Sequence, residues 1–131
     1  MEKKVLLQRL EDADVDVSDA VKRFMGNEEL YLKFIRKLPE SLNLDKLEAS
    51  LQSEKESDFY HYMHDLKGLA GNLGLLQIYD PANAALVEYR SSGLRNLKKM
   101  YGLLSEIRDY SQKVMAILEE DFENDETGSE L

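Results

Sequence analysis

Apolar residues recur along this chain at intervals of three and four, and they do not alternate. β-branched clusters are absent and only two prolines occur. That pattern predicts helix throughout. The stretch "VSDAVKRFMG" reads as a short first helix, with Ser18 as its cap and Val21, Phe24 and Met25 on one face. Gly26 ends it and Asn27 caps the next helix, "EELYLKFIRKL", whose spaced apolar residues are Leu30, Phe34, Ile35 and Leu38. Pro39 must kink or break that helix. "LNLDKLEASLQS" resumes with Leu44, Leu47 and Leu51 on one side. Ser57 or Asp58 is placed to cap a helix carrying "MHDLKGLAGNLG". Asp80 and Pro81 read as the cap and first-turn pair of the following helix, which should end near Gly93. The last segment carries a stripe of Leu97, Met100, Leu104, Ile107, Val114 and Leu118. The expected fold is all-α: an antiparallel up-and-down four-helix bundle with a short additional N-terminal helix.

Charge refines this picture at one end. The net charge is −9, and residues 119–131, "EEDFENDETGSEL", hold seven acidic residues and no basic one. The first 118 residues are therefore near −2. One helical domain over 1–122 and an acidic disordered tail over 123–131 are expected. A nearly neutral body with an acidic end is a poor match for nucleic acid. There is no cysteine, so thiolate chemistry and disulfides are excluded and a reducing compartment is natural. No apolar run is long enough for a signal peptide or a membrane span, so a cytoplasmic protein is expected.

The stretch 63–74 raises a physical question, because it holds three glycines in a helical pattern. Each internal glycine costs roughly 1 kcal/mol relative to alanine. On a wheel advancing about 100° per residue, Phe59, Tyr62, Leu66, Leu69 and Leu73 lie opposite His64. Gly68, Gly71 and Lys67 lie within about 60° of His64 on its own side. The glycines thus avoid the core stripe. They thin the helix surface around an imidazole, which suits contact with a large partner. A neutral imidazole in water is a competent nucleophile at pH 7.

"HDLKG" followed by Gly74 resembles the His-x-x-Lys-Gly-x-x-x-x-x-Gly signature of histidine-containing phosphotransfer domains. Asn72 and the upstream "VSDAVKRFMGNEELYLKFIRKL" are similar to the same family, and the likeness covers roughly residues 15–118. The resemblance implies a phosphorelay carrier. His64 would be phosphorylated, through the outward Nε2, and Lys67 would stabilise phosphoryl charge. Partners would be response-regulator receiver domains, with a sensor or hybrid histidine kinase upstream. The receiver would supply Mg2+, so no cofactor or metal is expected on this chain, which would act as a carrier and not as an enzyme. Tyr60, His61, Gly68, Gly71, Leu75, Leu76 and Tyr79 are the candidate partner-binding residues. A free-standing monomer is expected. The sequence departs from the family pattern at Pro39, within a helix that is usually continuous, and at Pro81, which implies a later start for the helix after the motif.

Two other readings compete. His61 and His64 are spaced i, i+3 beside Asp65, but a metal site needs a further placed ligand. A helical protein-binding bundle with a chemically idle His64 is the alternative class.

Overall fold

The computed structural model describes the backbone of residues 1–129 and the side chains through Glu123. Among the described residues there are helices α1 (Lys3–Asp12), α2 (Val17–Arg23), α3 (Glu28–Ile35), α4 (Leu38–Ser41), α5 (Leu44–Gln52), α6 (Glu56–Leu73), α7 (Leu76–Ser92) and α8 (Leu97–Ser129), and no strand. The all-helical expectation therefore holds. The tail expected over 123–131 falls largely outside the described side chains, while the α8 backbone continues to Ser129 without a break at 122.

Local chemistry sets most of the boundaries. The Asn27 side chain accepts the Leu30 N–H at 3.0 Å, as a helix cap should. Asp16, not the expected Ser18, caps α2 by accepting the Asp19 N–H at 3.2 Å. Pro39 stands in the first turn of α4, where no N–H is needed, so the chain breaks between α3 and α4. Lys55 precedes α6 without a side-chain cap, in place of Ser57 or Asp58. Helix α1 was not anticipated. Its Leu6 and Leu10 are fully buried, one turn apart, and it packs against α8.

Pro81 lies inside α7 and does not open it. The start is fixed earlier by Gly74, whose left-handed backbone (φ 75°) ends α6. The Tyr79 N–H then reaches the Leu75 carbonyl at 2.8 Å, closing the first turn. By Asp80 the helix is already formed, and Pro81, itself buried, forfeits only one early hydrogen bond. The face of α3 also differs from expectation. Tyr31, Leu32 and Ile35 are buried, whereas Leu30 and Phe34 are exposed. Tyr31 selects this face by donating its hydroxyl to the Leu73 carbonyl at 2.9 Å.

The core runs through the long helices. Phe59, Met63, Leu66, Ala70 and Leu73 of α6 meet Ile78, Ala82, Ala85 and Leu86 of α7 and Met100, Leu104, Ile107 and Val114 of α8. Each large side chain so buried contributes about 1.5–3 kcal/mol. Helix α6 packs along α7 and α5, and α7 packs along α8. Arg108 of α8 grips α5 through Asp45 (3.1 Å) and Glu48 (2.9 Å). Among the described residues no buried side-chain nitrogen or oxygen lacks a partner. No helix of the described residues is long and apolar enough to cross a membrane.

Candidate functional site

The buried positions of α6 centre on Phe59, Ala70 and Leu66, so the core stripe is turned by about 40° from the wheel expectation, toward Met63. Tyr62 and Leu69 become half-buried flanks. The opposite meridian passes through Gly68, next to His64. The His64 side chain is 62% exposed. A Cβ built on Gly68 would meet nothing within 4 Å, so the helix surface beside the imidazole is bare.

The ring is held without being enclosed. Tyr60, one turn earlier, stacks on it with centroids 5.9 Å apart and planes at 28°. Tyr60 leans in turn on Tyr89 of α7, at 5.5 Å. The His64 Nδ1 lies 4.0 Å from the Asp65 carboxylate, beyond hydrogen-bond length. His61 is exposed and meets the edge of Tyr60 at 5.8 Å, so it lies beside the site.

Lys67, one turn beyond His64, is half-buried. Its Nζ stands 5.6 Å from the centre of the Tyr79 ring. The same ring lies 3.4 Å from where a Gly71 Cβ would be, so Gly71 is the seat for Tyr79. Leu76 is exposed beside them. Leu75 is not available to a partner. It is fully buried, because its backbone starts α7 and its side chain turns under the helix pair. Gly74 is also buried, and its role is structural.

Helix α2 adds residues that local sequence pattern did not mark. Asp19 and Arg23 border a groove of about 430 Å³ that also contains His64, Lys67 and Asn72. Tyr79 and Leu76 line it as well. Arg23 Nε donates to Asp19 at 3.0 Å, with both side chains about half exposed. Only the i, i+4 spacing of this pair was visible in sequence, and it reads there as an ordinary surface pair. A second hollow of about 510 Å³ shares Arg23 and Asn72 with the groove. It is walled by Phe24 and Phe34, 5.3 Å apart. A larger hollow of about 610 Å³ lies between α5 and α8 and contains no histidine.

Among the described residues no three His, Cys, Asp or Glu side chains gather as a metal site. The arrangement offers an accessible imidazole nucleophile, one ammonium a turn away, one guanidinium lining the same groove, and bare helix surface at Gly68. Comparison with protein-family models, with curated proteins and with solved structures found no match for this chain.

Proposed function

We propose that this chain is a phosphorelay carrier: an antiparallel four-helix bundle, α5 to α8, that holds a phosphoryl group on His64 and exchanges it with an aspartate of a receiver domain. The observation that carries the reading is the exposed His64 ring on a glycine-bared helix face, with Lys67 one turn away. The resemblance of "HDLKG" and Gly74 to the phosphotransfer signature points the same way.

In the transfer, the Nε2 lone pair attacks the phosphorus of the partner's aspartyl phosphate. The N–P bond forms as the P–O bond to the aspartate breaks, and the aspartate leaves as a carboxylate. The ring proton stays on Nδ1, on the side facing Asp65. The reverse step returns the phosphoryl group by the same path. Such transfer depends on positioning and charge neutralisation. Mg2+ and its acidic pocket belong to the receiver. This chain contributes the nucleophile, the Lys67 ammonium and a surface without side chains at Gly68. Leu76, Tyr79 and the half-buried Tyr60 supply apolar contact around it. A sensor or hybrid kinase would feed the relay, in the cytoplasm, with this chain acting as a monomer.

The test is direct. A receiver domain charged with a small-molecule phosphodonor is mixed with this protein. Phosphate that survives base and is lost in acid is expected on this chain. His64→Gln abolishes it and His61→Gln does not. Label persisting in His64→Gln refutes the assignment.

A further inference from the structure

The groove holds a cation that the proposed transfer does not use. Arg23 sits on α2, 41 positions before His64 in sequence, yet both border the same groove. Its Nε is committed to Asp19 at 3.0 Å, and among the described residues it makes no other hydrogen bond or ion pair. The pair is half exposed on both sides, and such i, i+4 pairs are held by a few tenths of a kcal/mol. The latch is therefore weak. Asp19 lines the same groove as His64, where a phosphoryl group would carry close to two negative charges.

We propose that Arg23 is a second phosphoryl-holding cation, restrained by Asp19 while His64 is bare and turned onto the phosphoryl oxygens once His64 is charged. Phosphoryl oxygens outbid a single carboxylate for a guanidinium, because they carry more charge and accept two parallel N–H bonds. Lys67 then holds the group from α6 and Arg23 from α2, both of them lining the same groove. Asp19 has a double effect: it restrains the guanidinium and repels the incoming phosphoryl group. The inference rests on His64 being the phosphorylated residue.

The experiment needs no partner protein. The full chain is charged with phosphoramidate, and the 31P resonance is followed through the second ionisation of the phosphoryl group. A cation in contact keeps that group ionised to lower pH. Arg23→Gln is expected to raise the midpoint by about 0.3–1 unit, which is two- to ten-fold in proton affinity. Arg23→Lys restores part of the shift, and Asp19→Asn lowers the midpoint below that of the unaltered chain. Raised salt narrows every difference. Lys67→Ala, which removes the other cation, shows that the measurement responds. An unchanged midpoint in Arg23→Gln, alongside a raised one in Lys67→Ala, overturns the role of Arg23 and leaves His64 untouched. If phosphoramidate still labels His64→Gln, the underlying site assignment falls instead.

Discussion

The Asp16 N–H donates to the Gly74 carbonyl at 2.8 Å, and the Asp16 carbonyl oxygen occupies the space that a side chain on Gly74 would need. This backbone contact fastens the start of α2 to the end of α6. Arg23, further along α2, and His64, on α6, border one groove. Gly74 has φ 75°, so alanine there incurs left-handed strain of about 1–2 kcal/mol and a clash with backbone that cannot easily move. Gly74→Ala is expected to cost about 3 kcal/mol or more, read as a fall in Tm of roughly 10 °C. Gly74→Asn separates the causes. Asparagine tolerates this φ, so a loss equal to that of alanine identifies the clash, whereas near-normal stability would show that strain alone mattered.

Gly68 should behave in the opposite way. Nothing stands within 4 Å of its missing Cβ, and it lies in mid-helix. Gly68→Ala is expected to raise stability by about 0.5–1 kcal/mol, measured by chemical denaturation. Gly68→Leu should fold as well as the native chain and yet exchange phosphate at least about tenfold more slowly, since a branched side chain beside His64 blocks close approach. Normal exchange in Gly68→Leu would remove the steric account of this glycine.

Much of this was legible in the sequence, and the failures share a cause. The exposure of His64 and Gly68 on α6 followed from its 3.6-residue period, whereas Lys67 is half-buried because the core stripe is turned toward Met63. The cap at Asn27 and the break at Pro39 were local and could be read locally. What depended on distant partners could not. Tyr31 and not Phe34 turns inward on α3 because Leu73, 42 residues away, offers a carbonyl. Leu75 reads as surface in the sequence because nothing nearby reveals that α7 begins one residue later. Helix α1 is short and highly charged, and only packing against α8 makes sense of Leu6 and Leu10.

The Lys67 ammonium sits over the Tyr79 ring. A cation 5.6 Å from an aromatic centre gains about 0.5–1 kcal/mol at an exposed site. Lys67→Ala is expected to slow phosphoryl exchange roughly three- to thirtyfold without abolishing it, because the nucleophile remains. Tyr79→Leu keeps the ammonium but frees it, and should give a smaller loss, about two- to fivefold. Stopped-time transfer assays with one receiver compare the two. A complete loss in Lys67→Ala would mean that lysine does more than neutralise charge.

Asp121 ties together segments distant in the sequence. It is 2% exposed, and it accepts Arg36 Nε at 3.0 Å, with the Met1 amino group at 3.5 Å. The pair joins the end of α3 to α8. Asp121→Ala strips the acceptor from two cationic groups and is expected to cost about 1–3 kcal/mol. Arg36→Ala should cost less, because the Arg36 side chain is 40% exposed and water already shares it. Denaturant midpoints of the two variants give the order, and none of this should alter charging of His64. The reverse order would mean that Asp121 is held chiefly by Arg36.

High pH should loosen the fold through two buried phenols. Burial pushes Tyr110 up to about 12, with the Asp14 charge adding to it, and burial chiefly pushes Tyr31 well above its ordinary range. An unfolded tyrosine titrates near 10. Below about pH 10 both states keep these protons and the phenols impose no pH dependence. Between about 10 and 12 the unfolded chain releases them while the folded chain does not, so stability falls as pH rises. Tyr110 donates to the Ala13 carbonyl at 2.6 Å, so Tyr110→Phe is expected to cost about 1 kcal/mol at pH 7. The same variant has one phenol fewer to ionise, and its stability should decline less steeply between pH 10 and 12. Denaturation curves at pH 7, 10 and 11.5 test both halves. A slope matching the native chain would show that Tyr110 does not drive the alkaline loss, even if the neutral-pH penalty appears as expected.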